Sequence, residues 1–179
     1  LSLCYFELYS KLNPDKAEPN VLIGETLGMI NSSYTSTYQN KKHNINELID
    51  KIGLSFLDKR EEGLFPSSFQ NELMIAQYMN KAINLNPNYD DRYAILHPQH
   101  KILSTMSYLA LKYTYENKPD SMMLAYKLGN QLGGYDEITF DYGYNLVNSC
   151  KPNSILFTNG DLDTYSALYV QQVHGVRKD

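Results

Sequence analysis

Asp161 and Asp163 are the side chains best placed for chemistry, in the run Ser154-Ile155-Leu156-Phe157-Thr158-Asn159-Gly160-Asp161-Leu162-Asp163-Thr164. The apolar residues ahead of them read as a strand over 154–158, and Asn159-Gly160 as a turn. A helix follows from about Thr164 to Val173, stopped by Gly175. Ligands of open α/β sheets bind where a strand ends and a helix begins. Asn159, Gly160, Asp161, Asp163 and Thr164 are therefore the candidate ligand-binding set. Two carboxylates at such a corner supply hard oxygen ligands that can hold a divalent ion against a diphosphate. That makes Asp161 and Asp163 the candidate metal ligands, with glycosyl or phosphoryl transfer as the matching reaction. In a second chemistry the first carboxylate attacks phosphorus and the second acts as acid and base. A third reading needs no ligand. Asp163 then caps the helix through a backbone N–H two or three residues on, worth about 0.5–2 kcal/mol, and Asp161 sits on the turn.

The nucleophile reading has a superficial likeness to the loop of haloacid dehalogenase-like phosphatases. Two features oppose it: no glycine follows Asp163, and Asn159-Gly160 separates strand from motif. His97 and His100 stand at i and i+3, but Pro98 lies between them and no third ligand is near. His43 and His174 are isolated, and no phosphate loop, nucleophile elbow or dinucleotide fingerprint occurs. No catalytic residue is assigned, and a divalent metal is the one cofactor the corner suggests.

The 179 residues carry sixteen Lys+Arg against twenty Asp+Glu, a formal net charge of -4. No basic patch tracks a phosphate backbone, so nucleic acid is not an expected partner. Cys4 and Cys150 are too far apart for a zinc knuckle and too few for a disulfide framework. Cys150 reads as a small buried apolar residue. No apolar run reaches the roughly 18 residues of a membrane helix. Leu1-Ser2-Leu3-Cys4 resembles the tail of a bacterial lipoprotein signal, making Cys4 a candidate lipid anchor, although Leu3 is bulky where a small residue is expected. Sixteen tyrosines without a tryptophan, with many Asn and Lys, fit AT-rich coding as well as function.

Helical spacing positions the rest. Cys4 to Leu12 predicts a short helix stopped by Asn13-Pro14, and Asn20 to Ile30 a second. The polar run 31–40 predicts a loop or exposed strand. Asn44 or Asn46 caps a helix through Leu57, broken by Gly63 and Pro66. Ser67 or Ser68 opens another that stops at Asn86-Pro87-Asn88. Further helices are expected over Pro98 to Glu116, over Met122 to Leu132 with Asp120 or Ser121 as cap and Gly133-Gly134 as stop, and over Tyr142 to Ser149 with Asp141 as cap. The Met122-Met123 pair reads as core filler.

The fold class expected is mainly α, with a short C-terminal α/β element. Strand 154–158, its helix and the approach to a second strand at Val176–Asp179 make an incomplete βαβ unit. The organisation expected is a poorly defined segment 1–40, a helical region 41–134 and an α/β module 135–179. A lone strand cannot satisfy its own backbone groups, so its neighbours are expected from elsewhere, as in a fragment of a longer protein.

Two resemblances refine this. Met79-Asn80-Lys81-Ala82-Ile83-Asn84-Leu85-Asn86-Pro87-Asn88-Tyr89 resembles the closing helix of a tetratricopeptide repeat, with Ala82 in the packing position and Gly63 where the preceding helix places its glycine. Pro66 breaks the pattern. One repeat onward (~34 residues) Tyr113 fits but Glu116 stands in place of alanine, so a degenerate helical hairpin is expected and not an array. The C-terminal run from Asp141-Tyr142-Gly143-Tyr144-Asn145-Leu146 through Ile155-Leu156-Phe157-Thr158-Asn159-Gly160-Asp161-Leu162-Asp163-Thr164 to Gly175-Val176-Arg177-Lys178-Asp179 resembles a soluble segment of Bacteroidota envelope proteins similar to protein O-mannosyltransferases. There the motif reads Phe-Thr-Asn-Gly-Asp-Asn-Asp-Thr. Leu162 replaces its central asparagine, and Tyr165-Ser166 its usual Phe-Pro. The resemblance covers about 141–179 and implies a bacterial envelope setting, facing the periplasm, and a continuing α/β domain. It does not carry the family's membrane-embedded catalytic part, so it does not imply a transferase. The repeat-like helices, the incomplete strand unit and the missing catalytic constellation lead instead to the expectation of a binding or accessory module with protein partners in an envelope complex.

Overall fold

Helices make up most of the described residues, 2–36, 68–90 and 96–179 of the computed structural model, and fall in two units, Leu1–Pro98 and Gln99–Asp179. The first holds α1 (Ser2–Leu12), α2 (Glu18–Ser36) and α3 (Phe69–Leu85). α1 stops at Asn13, whose backbone and side-chain N–H groups both donate to the Tyr9 carbonyl, at 3.0 and 3.1 Å. Pro19 falls in the first turn of α2, where no backbone N–H is needed. α2 runs further than expected: residues 31–36 continue the helix instead of leaving it as loop or strand. Val21, Ile23 and Leu27 anchor α2 in the core, and a nucleated helix propagates cheaply through residues of modest propensity. Residues 37–40 of that run, the helix expected after Asn44, and Gly63 and Pro66 lie outside the described residues.

Ser68 caps α3 as its sequence predicts, its Oγ accepting from the Asn71 N–H at 3.1 Å. Leu3, Ile23, Leu27 and Ile75 form one core cluster and Ala17, Val21, Ala82 and Tyr89 another. Ala82, the residue that carried the repeat resemblance, is a fully buried packing position.

The second unit holds most of α4 (Pro98–Tyr115), together with α5 (Pro119–Gln131), α6 (Glu137–Asn148) and α7 (Asp161–His174). α4 buries Ile102, Leu103, Met106, Leu109 and Ala110, the helical stripe expected of it. α5 needs neither Asp120 nor Ser121 as a cap. Pro119 opens it behind Lys118, with no side-chain hydrogen bond, because proline leaves one fewer donor to satisfy. Of the paired methionines, Met122 is buried and Met123 is exposed. Gly133, at φ +87°, makes the left-handed stop. α6 begins at Glu137, ahead of the expected Tyr142. Its cap is Asp136, not Asp141, with a carboxylate oxygen accepting from Thr139 N–H at 2.7 Å. Hydrogen bonds from Thr139 and Gln99 outweigh partial burial and hold the Asp136 carboxyl below its ordinary range.

Four tyrosines, Tyr126, Tyr135, Tyr165 and Tyr169, are buried in this core, a placement that composition alone does not specify. Tyr135 stacks on Tyr169 with ring centres 4.1 Å apart, and Tyr126 tilts toward both at 6.0 and 5.7 Å. The Tyr135 hydroxyl pairs with that of Ser107. Gly129 makes room for this group, since a Cβ there would come within 2.6 Å of the Tyr135 ring. Gly143 does the same between α6 and α7, where a Cβ would overlap the Ser166 carbonyl.

The C-terminal α/β element does not form: no strand occurs among the described residues. Ser154 donates a backbone hydrogen bond to Lys151, but Ile155 to Thr158 make none with any described residue. A strand exists only by pairing, and no described segment lies alongside. The period-two pattern still survives in burial. Leu156 and Thr158 are half-buried, while Ile155 and Phe157 are 82% and 90% exposed.

Two consequences are measurable. Gly143→Ala forces α6 and α7 apart and destabilises the chain by about 1–3 kcal/mol in urea unfolding. A change under about 0.5 kcal/mol would show that the contact yields. Burial, aided by neighbouring tyrosines, raises the Tyr135 pKa well above its ordinary value, against the pull of its Ser107 hydrogen bond, and burial likewise raises Tyr126. Their neutral forms are favoured in the folded state, so this stability is intact below the unfolded value of about 10. It is lost as pH climbs from there toward the raised folded values. Thermal melts across pH 9 to 12 are expected to fall in Tm above pH ~10, less steeply in Tyr126→Phe.

Candidate functional site

The acidic corner is the first turn of α7. The helix starts earlier than the sequence suggests, with Gly160 as N-cap, so both aspartates lie inside it and Asp163 is not the cap. Their charges sit at the positive helix end. Inclusion in the helix also decides where they point. Positions i and i+2 differ by about 200° around a helix axis. Asp161 accordingly accepts from the Ser104 hydroxyl of α4 at 3.2 Å and from the Leu162 N–H at 3.0 Å. Asp163 accepts from the Tyr142 hydroxyl of α6 at 3.0 Å. That bond, with the carboxylate's charge, raises the pKa of the exposed Tyr142 phenol.

The two carboxylates are thus turned to different neighbours rather than converged on one point. Among the described residues no three acidic, histidine or cysteine side chains gather as a metal site. Thr164 belongs to a hydroxyl chain: its Oγ1 donates to the Gly160 carbonyl at 2.7 Å and so accepts from Thr158. Asn159 and Gly160 are exposed. A Cβ at Gly160 would meet nothing within 4 Å, and its φ of -167° suits any residue, so no steric need selects glycine there.

A polar cleft of about 280 Å³ opens beside α7, lined by Cys150, Leu156, Thr158, Thr164, Gln171 and Arg177 among others. Neither aspartate lines it. Its wall is a network that motif reading missed. Arg177 donates through Nε and Nη2 to Asp179 at 2.8 and 3.2 Å, and through Nη1 to the Cys150 carbonyl at 3.0 Å. Gln171 Nε2 donates to the Arg177 carbonyl at 2.6 Å, and the Asn153 N–H donates to Asp179 at 3.3 Å. The hydrogen bond from Arg177 holds the Asp179 carboxyl below its usual range. This clasp uses the guanidinium on protein groups and fastens residues 150–153 to 177–179. The only advance signal was the Gly-Val-Arg-x-Asp run itself. Cys150 is half-buried, not fully, and its thiol faces the Leu146 carbonyl at 3.6 Å. His97 is half-buried and His100 exposed.

Residues 139–179 match the family described as TMEM260-associated domain 2. That span, under a quarter of the chain, contains the whole corner and clasp and nearly coincides with the stretch of the C-terminal resemblance. No curated protein and no solved structure matches the chain.

Titration calorimetry with Mn²⁺ or Mg²⁺ and a nucleotide sugar tests the metal chemistry. Because the carboxylates diverge, no saturable heat is expected at millimolar metal. Saturable binding abolished by Asp161→Asn and by Asp163→Asn would restore the transfer reading.

Proposed function

We propose that this chain is a non-catalytic binding or accessory module of a bacterial envelope protein or complex, presenting helical surfaces to a protein partner. The observation that carries this is a stripe on α1. Tyr5, Leu8 and Leu12 fall within an arc of about 60° on a helix and are 69%, 54% and 71% exposed. Met29 on α2 is also exposed. A row of large apolar side chains at i, i+3 and i+7 is how a helix face is prepared for a partner groove or helix.

Exposed tyrosines on the helices, Tyr115, Tyr142 and Tyr144, suit the same use: each offers a large rigid ring at low entropy cost. The envelope setting, facing the periplasm, rests on the C-terminal resemblance to the Phe-Thr-Asn-Gly-Asp-Asn-Asp-Thr segment, which overlaps the family match over 139–179. In this reading α3 and its neighbours act as a degenerate repeat-like hairpin, and Cys4, exposed at the start of α1, is the residue that would carry a lipid. No described helix is long and apolar enough to cross a membrane.

The test is capture from native envelope extracts, with the partner identified by cross-linking and mass spectrometry. The triple variant Tyr5→Ala, Leu8→Ala, Leu12→Ala is expected to lose the partner at least tenfold while keeping its helical circular dichroism. Undiminished capture by that variant, and by alanine variants of the exposed tyrosines, would sink the reading.

A further inference from the structure

Ile155 to Thr158 combine two features that rarely stay uncovered together. Their backbone N–H and C=O groups meet no described backbone partner, and Ile155 and Phe157, the two most exposed large apolar side chains among the described residues, alternate along them. An apolar surface alone would accept many partners. Unpaired amides beside it offer an edge that another extended backbone can complete, its donors and acceptors falling at the matching spacing.

We propose that this run is a self-pairing edge: two copies of the chain join antiparallel through residues 154–158, centred on Leu156. The register follows from the sequence. Antiparallel pairing about Leu156 sets Ser154 opposite Thr158 and Ile155 opposite Phe157, twice over by symmetry. The aromatic–β-branched pair of Phe157 with Ile155 is a favourable cross-strand combination. The flanks agree. Lys151 at one end and Asp161 at the other are both exposed and lie equally far from Leu156. Antiparallel pairing therefore brings Lys151 of each copy toward Asp161 of its mate, whereas parallel pairing would set like charges together. Leu156 and Thr158 already rest toward the cleft beside α7, which leaves the Ile155–Phe157 face to meet its counterpart. Pairing supplies the neighbour whose absence keeps 154–158 from being a strand. The inference concerns a different surface from the α1 stripe and does not rest on the accessory-module reading.

Sedimentation equilibrium of the full chain tests it. A concentration-dependent monomer–dimer equilibrium is expected, weakened at least tenfold by Phe157→Lys with unchanged circular dichroism. Lys151→Glu and Asp161→Lys should each weaken it through like-charge flanks. An equimolar mixture of the two should regain dimer at low salt, because both flank pairs are then unlike. A chain that stays monomeric up to about 1 mM, an equilibrium indifferent to Phe157→Lys, or a mixture no better than its components would each overturn the proposal. A monomer whose capture of an envelope protein is lost in Phe157→Lys would assign the edge to a strand from another polypeptide, sinking self-pairing while leaving the accessory-module reading intact.

Discussion

The C-terminal unit depends on how closely α6 and α7 approach at Gly143. With only hydrogen on that Cα, the helix backbones meet near the Ser166 carbonyl, and two further relations accompany that approach. Tyr142, next to the glycine, comes within reach of Asp163. Tyr169, one helical turn beyond Ser166, is delivered onto Tyr135. Gly129 performs the same service for the Tyr135 ring. Close packing leaves little slack for an extra methyl at such points, so two glycines help determine where the buried tyrosine cluster can sit.

That packing also sets the chemistry of the acidic motif. Two aspartates one residue apart on an extended loop can serve a single ion. The same pair wound into a helix is split by roughly half a turn, and here each half finds its own hydroxyl, Ser104 for one and Tyr142 for the other. The carboxylates then work as ties between α7 and the helices on either side, helped by the positive end of the helix they begin. The Arg177 clasp does comparable work at the opposite end of α7, where a guanidinium is spent on Asp179 and the Cys150 carbonyl.

The run 154–158 shows the opposite balance. Its side chains keep the alternation of a strand, one set toward the cleft and one to solvent, although the backbone has no ladder among the described residues. Side-chain pattern is a local property and persists without a partner. Hydrogen-bonded strand structure is a relation between two segments and does not.

Helix existence was legible throughout the described residues, because apolar spacing and stop signals act within a few turns: Asn13-Pro14 ended α1, Ser68 capped α3, and Gly133 and Gly175 closed α5 and α7 in the left-handed conformation. The acidic corner was located correctly as the start of a helix. Helix beginnings were less legible. Several candidate caps stood within reach, and packing chose Asp136 over Asp141 and Gly160 over Asp163. The tyrosine core, the hydroxyl partners that Asp161 and Asp163 find on other helices and the Arg177 clasp were decided by tertiary structure alone. Each depends on residues tens of positions apart being brought within a few ångströms, and no local spacing encodes that distance.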